Sequence, residues 1–151
     1  SLHVSAGWAV SRVEYVKTVA ETRVAVMHLG ADCFLREAYH PQDWPHEFLL
    51  LGPDGRLTPT VRPSPWTVAG PLCFAGDIIG RDVALPEVVP GDLLVVRDAG
   101  AYTYSMWSRH CSRGMPAMLG YTDDGQRPFQ LLRERETVGD IVAFWQPSRQ
   151  R

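Results

Sequence analysis

The sequence predicts a mainly β fold: an antiparallel β-barrel or folded-over sheet with two or three short helices. Three observations carry this. Short runs rich in β-branched and apolar residues recur along most of the chain. They are separated by turn signals built from Gly, Pro and Asp, of which the 151 residues include 13 Gly and 12 Pro. Clear helical periodicity occurs in one stretch alone, near the C-terminus.

Ala9 to Val19 alternates in places and is rich in Val, Thr and Tyr, so it reads as a long strand. Thr22 to Leu29 reads as a second strand. With only Ala20–Glu21 between them, the two predict an antiparallel hairpin. Gly30 to Tyr39 has room for one helical turn or two, with Leu35 and Tyr39 on one face. His40 to His46 holds two prolines and reads as a loop. Glu47 to Leu51 is a short apolar strand closed by Gly52-Pro53-Asp54-Gly55. Arg56 to Pro65, with three prolines, reads as a meandering connection.

Thr67 to Leu72 is a strand that leads into a Gly/Pro-framed loop around Cys73. Asp77 to Ala84 precedes a turn marked by Pro86, Pro90 and Gly91-Asp92. Leu93 to Arg97 is a continuous apolar run and reads as a buried strand. Asp98 is placed to cap a helix over Ala99 to Trp107. Met118 to Tyr121 and Phe129 to Arg133 flank Thr122-Asp123-Asp124-Gly125, the pattern of a hairpin. Glu136 to Trp145 carries Val138, Ile141, Val142 and Trp145 at helical spacing. The polar tail from Gln146 to Arg151 is expected to fray.

Length and composition predict one domain, residues 1–151, with its own core. Apolar residues make up 45% and charged residues 21%, values ordinary for a globular protein. A formal charge of −2 argues against a nucleic-acid surface, which needs a cationic excess. No run approaches a membrane-spanning length, and the N-terminus lacks a signal-peptide pattern. Three cysteines without paired spacing argue against a disulfide framework, so a reducing, cytoplasmic location is expected. Fourteen of the fifteen basic residues are Arg. Lys17 alone has a side-chain amine able to form a Schiff base, and its place in a strand reads as solvent-facing.

Several residues are candidates for chemistry. Cys73 sits between Gly70-Pro71-Leu72 and Phe74-Ala75-Gly76-Asp77. A thiol in such a loop can act as nucleophile or proton donor, or can simply pack as a small apolar side chain. Tyr102 follows the Asp98-Ala99-Gly100 turn. Beside a helix N-terminus its phenol could donate to a phosphate, although tyrosine is equally a common core residue. Arg36 can clamp a carboxylate or lie solvated at the surface. His28, His40, His46 and His110, taken with Cys33 and Cys111, show no recognised zinc spacing, and no metal is expected. A cysteine hydrolase using Cys73 with His110 or His28 ranks low, because no nucleophile-elbow spacing is present.

Taken in order, the segments SRVEYVK, GADCFLREAYHP, GPLCFAGDIIGRD, LPEVVPGDLLVVRDAGAYTYSM, SRGMPAMLGY and RERETVGDI resemble the C-terminal domain of the fold-type III, pyridoxal-phosphate-dependent amino-acid decarboxylases. The diaminopimelate and ornithine decarboxylase group is the nearest likeness. The resemblance implies a β-rich domain that normally joins a (β/α)8 barrel. That barrel carries the lysine and the glycine-rich loop that hold pyridoxal 5'-phosphate, and it is absent from this chain. By the same resemblance, Cys73 reaches across a homodimer interface as a proton donor or orienting group, and Tyr102 binds the cofactor phosphate. Arg36 and Tyr39 bind the substrate carboxylate, in a segment one residue shorter than the usual pattern. Phe74 stands where relatives carry Glu or Asp to read a distal ammonium group, which argues against diaminopimelate and for an apolar or otherwise unusual amino-acid substrate. The expected function is therefore the C-terminal domain of an amino-acid decarboxylase, inactive alone. The alternative is a non-catalytic binding or regulatory module that keeps the fold.

Overall fold

The computed structural model of the chain describes residues 3–43, 45–59, 61–123, 125 and 128–146. The chain divides into two compact units, Ser1–Ser108 and Arg109–Arg151.

The first unit is a six-stranded sheet. Its strands are β1 (Ala9–Val19), β2 (Thr22–Met27), β3 (Phe48–Leu51), β4 (Ser64–Ala69), β5 (Ile78–Leu85) and β6 (Leu93–Val96), with the short helix α1 (Leu35–Tyr39) between β2 and β3. The spatial order is β3-β6-β1-β2-β4-β5. β1 and β2 form the expected antiparallel hairpin, running from Val13↔Met27 to Val19↔Thr22. Every pairing is antiparallel except β2–β4, where Arg23 pairs with Trp66 and Val26 with Ala69 in parallel register. The sheet is therefore mixed rather than purely antiparallel. The long excursion through α1 and β3 carries the chain back to the start of β2, and only such a crossover permits a parallel neighbour.

The sheet curls. The register of β1 on β2 shifts between Val13 and Tyr15, and such an irregularity bends a strand and increases its twist. The two edge strands approach each other as a result: a Cβ on Gly80 of β5 would lie 3.0 Å from the ring of Phe48 on β3. The concave core holds Val13, Met27, Phe34, Leu50, Trp66, Val68, Leu85, Leu94 and Val96, all buried. β1 alternates there, with Ser11 and Val13 buried and Val10, Arg12 and Glu14 exposed. In β2, by contrast, Val24 to Met27 are buried without a break, as a strand covered on both faces requires.

The turn before β6 is closed by the Asp92 carboxylate, which accepts the Val89 N–H at 2.9 Å. The expected helix after Asp98 does not form. Asp98 and Tyr102 have φ of +58° and +60°, a left-handed conformation that interrupts a right-handed helix. A packing contact explains this. The N–H groups of Ala99 and Gly100 donate to the carbonyls of Gly7 and Val4 at 2.7 and 2.9 Å. Gly100 is needed there, because a Cβ would collide with the carbonyl of His3. Within the predicted span Ala99 to Trp107 a single 3-10 turn, Tyr104–Met106, forms instead.

The second unit contains the predicted hairpin, β7 (Met118–Tyr121) with β8 (Phe129–Arg133), and the helix α2 (Val138–Trp145). Asp124 of the predicted hairpin turn, and the tail beyond Gln146, lie outside the described residues. α2 starts at Val138 because Thr137 caps it: the Asp140 N–H donates to Thr137 Oγ1 at 3.2 Å, and the Thr137 N–H donates to the Asp140 carboxylate at 2.7 Å. This reciprocal box satisfies two otherwise orphaned donors. Glu136 accepts from Arg109 at 2.9 Å and from the Met115 N–H at 2.8 Å. The Arg109 bond, with help from Met115, holds the Glu136 carboxyl below the usual range. No described helix is long and apolar enough to cross a membrane.

Candidate functional site

The loop between β4 and β5 is organised by one carboxylate. Asp77 is buried. Its Oδ1 accepts the Ala31 N–H at 2.7 Å and its Oδ2 accepts the Leu72 N–H at 2.5 Å. Hydrogen bonds to a charged acceptor contribute about 1.5–3 kcal/mol each. This carboxylate therefore ties the Cys73 loop to the segment that leads into α1. Gly70 permits the close approach, since a Cβ there would strike both the Asp77 carboxylate and the Cα of Gly30. With the loop base fixed, Cys73 is exposed at its tip as a thiol, so the packed-cysteine reading does not hold. Phe74 is 41% exposed and folds its ring over Gly76.

The same loop walls a groove of about 460 Å³ on the sheet. Tyr15 and Lys17 of β1, Val24 of β2, and Arg81 of β5 line it together with Phe74. Lys17 is exposed, as expected for a solvent-facing position. Arg36, Tyr39 and Tyr102 do not line this groove.

Those three residues lie elsewhere on the first unit. The Arg36 guanidinium stands 5.0 Å from the centre of the Tyr102 ring, a cation–π contact worth about 0.5–1 kcal/mol when exposed. One Arg36 nitrogen is 4.0 Å from the Asp43 carboxylate. Its Nε is buried and makes no hydrogen bond among the described residues. Tyr102 is 41% exposed, so it is not a core tyrosine. The sequence argument that set its phenol beside a helix N-terminus is corrected, because no helix begins there. Positive charge near the phenol comes from Arg36 instead. Tyr39, at the far end of α1, is half exposed and meets His40 edge-on at 5.1 Å. The structure thus brings Arg36 and Tyr102 together and presents Cys73 and Phe74 on a separate loop.

Sequence reasoning missed three residues. Asp77 was read only as part of the loop's frame. Glu37 was not singled out, and His46 was considered only as a metal ligand. The side chains of Glu37 and His46 are both buried, with Nε2 of His46 3.6 Å from Oε1 of Glu37. Burial pushes the Glu37 carboxyl up to about 7, against the opposing charge of Arg36. Burial also lowers the pKa of His46, opposed by its bond to Arg97 and the charge of Asp98. Local sequence held no signal for this, since the helix Leu35–Tyr39 carries two charged residues, Arg36 and Glu37, and such residues are rarely buried unless paired.

Residues 5–100 match the family described as the pyridoxal-dependent decarboxylase, C-terminal sheet domain. The chain belongs to this family. Among curated proteins, the diaminopimelate decarboxylase of Deinococcus radiodurans is 37% identical over 145 residues, which is 94% of this chain and 34% of the relative. That of Escherichia coli K12 is 35% identical over 154 residues, covering 95% of this chain and 34% of the relative. The chain thus spans about a third of the length of the relatives it matches. A crystal structure of diaminopimelate decarboxylase superposes with a TM-score of 0.83 at 31% identity, covering 93% of this chain and 34% of that one. The Helicobacter pylori enzyme, solved in complex with L-lysine, gives a TM-score of 0.80 at 28% identity, over 95% of this chain and 32% of that one. The curled, mainly β sheet is the architecture expected of the family's sheet domain.

Proposed function

We propose that residues 1–151 are the sheet domain of a cytoplasmic, homodimeric amino-acid decarboxylase, inactive until joined to a (β/α)8 barrel. The observation that carries this reading is the pairing of Arg36 with Tyr102 on an exposed surface, a cation and a phenol within 5.0 Å of one another. The arrangement suits an anionic group. Tyr102 would donate its phenol O–H to the phosphate of pyridoxal 5'-phosphate, a charge-assisted bond. Arg36, with Tyr39 on the same helix, would orient the substrate carboxylate through its planar fork. Cys73, exposed on its clamped loop, would hold a proton for delivery at the end of the reaction. When bound, pyridoxal phosphate supplies the electron sink that decarboxylation requires. Phe74 offers no acceptor to a distal ammonium group, which argues against diaminopimelate and for an apolar or otherwise unusual amino-acid substrate.

In the enzyme completed by its barrel, Cys73→Ala is expected to lower turnover while leaving cofactor occupancy near that of the parent. Tyr102→Phe is expected to lower occupancy first. Equal effects of both variants on occupancy would refute the separate roles. The isolated chain mixed with pyridoxal phosphate and borohydride should carry no adduct on Lys17; a mass shift on that lysine would contradict the need for a barrel. Phe74 also favours a second reading, a regulatory module that keeps the fold without the chemistry. Capture of a barrel-bearing partner whose activity it restores would dismiss that alternative.

A further inference from the structure

The buried Glu37–His46 pair has no part in the chemistry above, yet it joins the two segments that carry it. Glu37 follows Arg36 on α1. His46 Nδ1 lies 2.7 Å from the carbonyl oxygen of Arg97, at the end of β6 and just before the turn that presents Tyr102. A carbonyl only accepts, so Nδ1 carries a proton and donates it. In the neutral imidazole Nε2 then has a lone pair, and it faces Glu37 Oε1. That oxygen is buried and makes no hydrogen bond among the described residues. Two lone pairs face each other unless one further proton lies between them. Phe34 covers the imidazole edge-on at 5.4 Å, which excludes water from that side.

We infer that Glu37 and His46 are positioning residues that share one proton and latch α1 to the Arg97–Tyr102 segment, so setting Arg36 over the Tyr102 ring. The inference rests on the reading of Arg36 and Tyr102 as site residues. The charged groups acting on the pair are Arg36 from α1 and Asp98 from the segment after β6. Glu47, next to His46 in sequence, and Arg97, whose carbonyl takes the His46 bond, neutralise each other in an ion pair at 2.6 Å. With the proton present, the carboxyl can close the 3.6 Å gap to Nε2 and donate to it, and the latch is shut. Once the proton leaves, a carboxylate faces a lone pair in a dry site, and α1 is pushed away from the Tyr102 turn.

Nuclear magnetic resonance on the 151-residue chain tests this without any cofactor, so the result is independent of whether the decarboxylase reading holds. A long-range ¹H–¹⁵N spectrum should show His46 with its proton on Nδ1. The Arg36 δ-protons should show an upfield ring-current shift, identified by its loss in Tyr102→Leu. In the parent chain that shift should shrink as pH rises, with a midpoint near the value of about 7 at which Glu37 ionises. Glu37→Gln keeps a donor toward Nε2, and should hold the shift at its low-pH size throughout. Glu37→Leu should reduce it at every pH. A proton on Nε2 in place of Nδ1, a parent shift that ignores pH, or a Glu37→Gln shift that still titrates would each overturn the latch. The last two outcomes remain readable even if Glu37→Leu fails to fold.

Discussion

Glu37→Gln should make the protein more stable at neutral pH, an unusual outcome for a change inside a core. The variant keeps the shape of the side chain and removes its ability to ionise. Burial raises the Glu37 carboxyl from its ordinary 4.5 to about 7, while the unfolded chain titrates near 4.5. Between those values the folded protein keeps a proton that the unfolded chain has lost, so stability falls as pH rises through that window. Above pH 7 both states are ionised and the full penalty persists. The gap from 4.5 to about 7 corresponds to about 3 kcal/mol, at ~1.4 kcal/mol for each tenfold change. This is an upper bound, since local opening would let water reach the carboxylate.

The amide of the variant carries no such penalty. Glu37→Gln should therefore match the parent near pH 4 and exceed it by up to about 3 kcal/mol at pH 8. His46 supplies an internal check. Its pKa is lowered from 6.5 by burial, so its contribution is lost as pH falls below the unfolded value. In the parent the two slopes oppose one another below pH 6.5, wherever both groups titrate. The glutamine variant keeps only the histidine slope and should weaken on acidification. Urea unfolding followed by tryptophan fluorescence, with Trp66 as the buried reporter, measures all of this. A variant less stable than the parent at pH 8 would mean that Glu37 is ionised and held by charge, and the reasoning would fail.

Three further predictions concern other parts of the chain. Asp77→Ala removes the acceptor of the Ala31 and Leu72 N–H groups. It should cost about 3 kcal/mol in urea unfolding, with faster amide exchange at Leu72. Thr137→Ala removes the cap of α2 and should cost about 1 kcal/mol of helix stability, seen as faster amide exchange at Ile141 and Val142; unchanged exchange would show the cap to be idle. Phe74→Glu restores an acceptor for a distal ammonium and, in the enzyme completed by its barrel, should raise kcat/KM for diaminopimelate by about ten- to a hundredfold, equivalent to the ~1.5–3 kcal/mol of a charged hydrogen bond. No gain with that substrate would remove Phe74 from specificity.

Local sequence was enough wherever a neighbour within a few residues decides the conformation. β1 occupies the predicted Ala9–Val19, and β7 and β8 fall on the predicted Met118–Tyr121 and Phe129–Arg133. Each is a short run of strand-forming residues bounded by its own turn. The Ala20–Glu21 link made the β1–β2 hairpin legible for the same reason. α2 was visible through its apolar spacing, although its first residue is set by the Thr137 cap. The Cys73 loop was recognisable because its glycines and proline announce a turn and a close approach.

What failed was local reasoning applied to a contact made from far along the chain. Asp98 carries a good capping side chain, yet the backbone of residues 3–7 takes the N–H groups of Ala99 and Gly100, and no helix forms. Nothing within β2 or β4 says that they pair in parallel. The composition of a strand sets its existence and its buried face, but its partner depends on where intervening segments return the chain. The Arg36–Tyr102 contact and the Glu37–His46 pair belong to this second class. Sequence alone determined most strands and turns, because those rest on periodicity and backbone preference, and its ordered motifs carried the family resemblance. Only the folded structure decided which cation meets which phenol and which carboxyl loses its water, because proximity and burial arise when distant segments share one core.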